Sequence, residues 1–177
     1  MKVIPTVTAI AGVAVLSACS AQSPEAERYI VAVAQINTAD GTMVGEAELT
    51  KAGDILTLGL SLSGLPEGPR AFHLHETAAC DAPSFIGAGG HLNPLAKAHG
   101  KLSEDGPHLG DLPNIDIAAD GTFKGDFHLD GSASDLLANL FDEDGTAVML
   151  HAGADDYRTD PSGAAGPRLA CGVLKQA

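Results

Sequence analysis

Between Thr122 and Asp130, Phe123, Phe127 and Leu129 fall on one side of an extended backbone, and Lys124, Asp126, His128 and Asp130 on the other. That alternation marks a strand with one buried and one solvated face. It predicts a strand over 122–130, and similar patterns predict others over 29–38, 42–51, 54–62, 71–76, 116–118, 147–151 and 169–174. Asn37-Thr38-Ala39-Asp40-Gly41 and Ala118-Ala119-Asp120-Gly121 read as turns between neighbouring strands. Only 134–141 hints at a helical turn. Short strands with frequent turns predict an all-β sandwich or barrel, and a chain of this size forms one domain. There is no internal repeat. Segments 77–114 and 152–167 read as long loops without regular structure, and loops of that length usually carry function.

The first residues do not belong to this pattern. Met1-Lys2 gives a short positive start, and 3–16 is mostly apolar but too short for a comfortable membrane span. Leu16-Ser17-Ala18-Cys19 resembles a bacterial lipoprotein signal, in which the cysteine is lipidated and becomes the mature first residue. The expected division is a signal peptide over 1–18, lipidated Cys19 with a flexible tether over 19–28, and the domain over 29–177. Ordinary cleavage, for instance after Ala21, is the alternative and would release an unanchored protein. Lipidation also accounts for the odd cysteine among three, which would otherwise be a free thiol in an oxidising compartment.

The chemistry lies in the histidines. Six of the seven form one ordered pattern: His73-x-His75, His91, His99, His108-x-x-Asp111 and His151. Single tetrahedral sites use three or four ligands, so this is an inventory for two metals. On a strand, His73 and His75 share a face while Phe72 and Leu74 take the other. Neutral imidazole suits copper and zinc, and the Asp111 carboxylate suits zinc better than copper. The seventh histidine, His128, falls on the polar side of its strand and reads as a surface residue.

At these residues the chain resembles the copper/zinc superoxide dismutase family. Ala71-Phe72-His73-Leu74-His75-Glu76 is similar to its first copper-ligand strand, and Gly89-Gly90-His91-Leu92-Asn93-Pro94 to the segment with the shared histidine. His99-Gly100 and Gly106-Pro107-His108-Leu109-Gly110-Asp111-Leu112 resemble its zinc loop. Gly166-Pro167-Arg168-Leu169-Ala170-Cys171-Gly172-Val173 resembles its C-terminal signature. The likeness runs from about Tyr29 to Lys175 with the motifs in the family's order.

The resemblance implies a Greek-key β-sandwich, or flattened barrel, whose two long loops build the site. It implies copper on His73, His75, His91 and His151, and zinc on His91, His99, His108 and Asp111, with His91 bridging. Arg168 would orient the superoxide anion, and Asp155 would hydrogen-bond His73 and His99. It implies a Cys80–Cys171 disulfide; two buried free thiols are the alternative. The implied reaction is dismutation: Cu(II) oxidises one superoxide to dioxygen, and Cu(I) reduces a second to hydrogen peroxide while the His91 bridge takes up a proton.

The net charge of −13 argues against a nucleic-acid partner, since phosphate binding needs clustered Lys and Arg. It also sets a problem, because superoxide is an anion. Segment 152–167 offers Arg158 as a steering cation and 77–90 offers none, while the sequence does not place Lys97 and Lys101. The alternative function is copper binding or trafficking on the same fold with little turnover. Such a protein should lack the bridge, a zinc ligand or the arginine, and all are present. A metal-free adhesion sandwich cannot account for the ordered histidines. The expected location is periplasmic, anchored by lipid on Cys19 to the cell membrane or the outer membrane. Relatives occur as monomers and dimers, and a homodimer stays open.

Overall fold

A computed structural model describes Lys2 and residues 27–177. Apart from Lys2, the expected signal peptide lies outside the described residues, as do the expected lipidation site at Cys19 and nearly all of the expected tether. The first strand begins at Arg28, within the expected tether. The strands are Arg28–Thr38 (β1), Met43–Ala52 (β2), Ile55–Leu62 (β3), Gly68–Arg70 (β4), Phe72–His75 (β5), Ile115–Ile117 (β6) and Phe123–His128 (β7). A helix, Ala133–Leu140 (α1), precedes Ala147–His151 (β8), Arg168–Val173 (β9) and Lys175–Gln176 (β10).

One antiparallel sheet runs in the order β5-β8-β9-β1-β2-β3-β7, with β10 added beside β1, and β4 and β6 form a separate ribbon. Local chemistry sets these pairings. The two-residue loop Gly53-Asp54, with Gly53 at φ 60°, joins the Ala52–Ile55 pair of β2 and β3. Asp54 then accepts a hydrogen bond from the Ala133 amide (3.0 Å), and Ser132 caps α1 by accepting from the Asp135 amide (3.2 Å).

Period-two burial does the rest. Ala32, Ala34 and Ile36 of β1 and Leu56, Leu58, Leu60 and Leu62 of β3 face one core. Strands β5 and β7 are the two ends of the sheet order, yet the Phe72 and Phe127 rings lie 5.4 Å apart. The sheet therefore curls until its ends meet across the core, giving the all-β, flattened-barrel architecture expected.

Strand β5 shows where the sequence pattern was incomplete. Phe72 and Leu74 do enter the core, but His73 and His75 on the opposite face are buried too. Loop backbone covers the outer edge of the strand. Leu74 donates to the Gly110 carbonyl (2.9 Å), Leu92 donates to the Leu74 carbonyl (2.9 Å), and Glu76 donates to the Gly90 carbonyl (3.0 Å). A Cβ on Gly110 would sit 2.2 Å from the Leu74 oxygen, so only glycine permits this approach. Segment 77–114 is thus not structureless: it holds the 3-10 turn Ile86–Ala88 and is laced to β5.

Candidate metal centre

Paired strands and laced loops bring all the expected ligands together. His73 and His75 come from β5, and His151 from the end of the adjacent β8. His91 is fixed by its bridge to His75, and Asp111 by its bridge to His73. Two groups result, His73, His75, His91, His151 and His91, His99, His108, Asp111, each with ligand atoms within 4.8 Å of one another. His91 belongs to both.

The orphaned atoms test whether ions fit. His73 Nδ1, His75 Nε2, His91 Nε2 and His151 Nε2 are buried and have no hydrogen-bond partner. Bare buried nitrogens are costly unless something binds them, and these four are one from each member of the first group. In the second group, Asp111 Oδ1 lies 2.7 Å from His91 Nδ1 and 3.1 Å from His99 Nδ1 and His108 Nδ1. A tetrahedral ion with bonds of about 2.0 Å separates its ligand atoms by about 3.3 Å. The second group is close to that spacing. The donor sets fit the two ions: all-imidazole for copper, imidazole with carboxylate for zinc.

The remaining ring nitrogens are committed elsewhere, which fixes the tautomers. His75 Nδ1–H donates to the Gly89 carbonyl (3.0 Å), His151 Nδ1–H to that of Gly166 (3.2 Å), and His108 Nε2–H to that of Lys97 (3.1 Å). Asp155 accepts from His73 Nε2 at Oδ2 (3.1 Å) and from His99 Nε2 at Oδ1 (2.9 Å). The Tyr157 amide donates to the same Oδ1 (2.6 Å). Asp111 spends its second oxygen on the amides of Gly100 (2.8 Å) and His108 (3.0 Å).

Burial holds three rings of the first group neutral. It lowers His75 to about 2, and His91 and His151 to about 4, with neighbouring histidines adding to the effect. For the carboxylates burial works in the opposite sense and loses. The contacts with His91 and the Gly100 and His108 amides hold Asp111 at about 2. Asp155 is likewise held below the ordinary carboxylate range by His73, His99 and the Tyr157 amide. Neutral imidazoles beside ionised carboxylates are the forms that bind metal.

A cavity of about 490 Å³ opens onto His75, His91 and His151. Arg168 reaches it from β9, its guanidinium donating to the carbonyls of Phe85 and Gly89 (2.5 Å for the latter). The other lining residues include Pro83, Ser84, Ile86, Pro161, Ser162 and Pro167, so among the described residues that line it Arg168 is the one Lys or Arg. Lys97, Lys101 and Arg158 are exposed and line no part of it. The Phe85 and Gly89 carbonyls belong to a loop tied down by the Cys80–Cys171 disulfide (Cα–Cα 5.6 Å). His128 stands apart from both groups, exposed, with Nδ1 3.0 Å from Thr57 Oγ1.

Sequence reasoning missed the carbonyl acceptors of Gly89, Gly166 and Lys97, which have no residue-type signal. It also missed Gly163, at φ 65°: a Cβ there would lie 1.8 Å from Asp155 Oδ1 and 2.7 Å from His99 Nε2.

Fold and site together define a class: a curled antiparallel β-sheet carrying two adjacent groups of candidate metal ligands that have His91 in common. The comparisons give the family. A profile of the copper/zinc superoxide dismutases matches residues 43–174. A Cu-Zn superoxide dismutase of Aquifex aeolicus is 41% identical over 145 residues, covering 80% of this chain and 86% of the relative. One from Caulobacter vibrioides is 39% identical over 150 residues, covering 81% and 85%. Among solved structures, a superoxide dismutase-like protein from Bacillus subtilis superposes with a TM-score of 0.75 at 36% identity, covering 82% of this chain and 99% of that one. The Cu/Zn superoxide dismutase of Brucella abortus gives 0.66 at 26%, covering 84% and 100%. The chain belongs to the copper/zinc superoxide dismutase family.

Proposed function

We infer that this chain dismutes superoxide, converting two superoxide anions and two protons to dioxygen and hydrogen peroxide. His73, His75, His91 and His151 hold copper, and His91, His99, His108 and Asp111 hold zinc. The observation that carries this is His91, whose two nitrogens face different groups. Copper supplies a one-electron acceptor and donor, and zinc a cation with no redox chemistry of its own.

The chain's residues do the rest. Arg168 presents a fixed positive charge in the cavity that opens on His75, His91 and His151, and places the anion there. The Phe85 and Gly89 carbonyls hold its guanidinium, so the charge is in position before substrate arrives. His91 Nδ1 is engaged by the zinc group, which leaves Nε2 as the atom able to take up a proton and return it to the product. Metal content measured alongside dismutase activity tests the reading. One copper and one zinc with activity well above free copper are expected, and Arg168→Ala should lose most activity while keeping both metals. Both metals without activity would favour copper carriage instead.

The protein is further proposed to be exported and anchored in the periplasm by lipid on Cys19. The Cys80–Cys171 bridge supports this, because disulfides persist in oxidising compartments. Among the described residues no helix is long and apolar enough to cross a membrane. Cys19→Ala should leave activity intact and move the protein from the membrane fraction to the released one. Membrane association persisting in that variant would rule the anchor out.

A further inference from the structure

Tyr157 stands where the two long loops meet, and nothing described so far requires a tyrosine there. Its backbone is in the left-handed region, at φ 62°, which a bulky residue occupies only where its surroundings over-determine it. That conformation turns its amide back onto Asp155 Oδ1 (2.6 Å), two residues earlier. It also turns its carbonyl toward the zinc loop, where it accepts from the Leu102 amide (3.1 Å). The side chain makes two more links. The phenol oxygen accepts from the Asn114 amide (2.8 Å), and Lys101 Nζ sits 4.2 Å from the ring centre.

Asn114 is the other half of the arrangement. Its side-chain amide donates to the Asp155 carbonyl (2.9 Å), and its Oδ1 accepts from the Asp155 amide (2.8 Å). Asp155 is therefore gripped from both sides, by Asn114 through its backbone and by Tyr157 through its carboxylate. The phenol closes the ring of contacts between them. The same tyrosine fits against the zinc loop so closely that a Cβ on Gly100 would sit 2.1 Å from its carbonyl group. The Gly100 amide donates to Asp111 Oδ2 (2.8 Å), so the fit reaches a zinc-group carboxylate directly.

We propose that Tyr157 is a positioning residue that clasps loop 152–167 to the zinc loop and so holds Asp155 and Gly100 where the zinc group needs them. It touches no ligand atom of that group. It acts through Asp155, which orients His99, and through Gly100, which orients Asp111. The proposal rests on the zinc assignment above, and it deepens that assignment by naming what preforms the site.

Tyr157→Phe removes the phenol oxygen while leaving the backbone and ring in place, which avoids an unfolded variant. Zinc affinity, measured by chelator competition, should fall about tenfold, the lower end of the range for groups that orient ligands. Cobalt placed in the zinc group should show an altered d–d spectrum, which a purely structural residue would not cause. Hydrogen exchange in the metal-free protein provides an arm independent of zinc. The Asn114 amide should exchange at least tenfold faster in the variant, because its acceptor has gone. Unchanged zinc affinity with an unchanged cobalt spectrum would overturn the positioning role, even if the variant melts lower. Unchanged exchange at Asn114 would overturn the clasp itself. A parent protein that takes up no zinc, but whose Asn114 exchange still responds to the variant, would refute the zinc assignment and leave the clasp standing.

Discussion

Replacing both Cys80 and Cys171 by alanine tests two roles of the disulfide at once. The bridge joins residues 91 apart. Closing a loop of that length removes chain entropy from the unfolded state worth about 4.6 kcal/mol at 25 °C. A domain of about 150 residues unfolds with an entropy near 0.3 kcal/mol/K, so the metal-free protein should melt about 15 °C lower. The second role is local. Phe85 and Gly89 lie in the segment tied down by Cys80, and their carbonyls hold the Arg168 guanidinium. Without the bridge that segment gains freedom and Arg168 loses its fixed orientation. Activity per bound copper should therefore drop at temperatures where the variant is still fully folded. Calorimetry of the metal-free protein at fixed pH reads the first effect, and dismutase assay normalised to copper content reads the second. A melting shift under about 5 °C would refute the loop-entropy account. Full activity per copper would refute the link between disulfide and arginine.

Gly163→Ala should weaken zinc about 10–100-fold, because its Cβ would overlap Asp155 Oδ1 and crowd His99 Nε2. Gly41→Ala is the control: it also sits at positive φ (84°) but has open space around it, so it should cost about 1 kcal/mol of stability and no zinc, as chelator titration would show. The metal-free protein should lose stability as pH falls from 6.5 toward 4. His91 and His151 stay neutral when folded down to about 4, and His75 to about 2, while the unfolded chain takes up their protons near 6.5. Their stabilisation is complete above 6.5 and declines at up to about 1.4 kcal/mol per pH unit for each ring. Equal denaturant midpoints at pH 7.5 and pH 5 would contradict it. Finally, kcat/KM should rise with salt, by less than about tenfold, because a chain of net charge −13 repels superoxide and the cavity lining counters it with Arg168 alone. A rate that falls with salt in stopped-flow measurements would show attractive steering from outside the cavity.

The strands were legible wherever apolar and polar residues alternate. Leu56, Leu58, Leu60 and Leu62 of β3 are buried as that pattern requires, and His128 is exposed as its place on β7 predicts. Strands β4 and β10 were not legible, since Gly68-Pro69-Arg70 and Lys175-Gln176 are too short and polar to show a period. The candidate ligand residues were legible because imidazole and carboxylate at these spacings have few other uses. Asp155 was legible through the family likeness, not from its own surroundings in sequence. What holds the ligands was hidden. Carbonyl acceptors at Gly89, Gly166 and Lys97, the left-handed turn at Tyr157 and the space at Gly163 arise only when distant segments meet, and no residue type announces them.

Strand β5 ends the sheet, and on its free side the ladder is completed by the backbone of Gly90, Leu92 and Gly110. An uncovered sheet edge is a template on which another chain can add a strand. The loops that arrange the ligands are thus also the cover of this edge. Opening those loops would bare the strand Phe72–His75, whose apolar Phe72 and Leu74 alternate with two histidines. The placing of the histidines and the sealing of the sheet edge are, in this fold, tasks of the same few backbone hydrogen bonds.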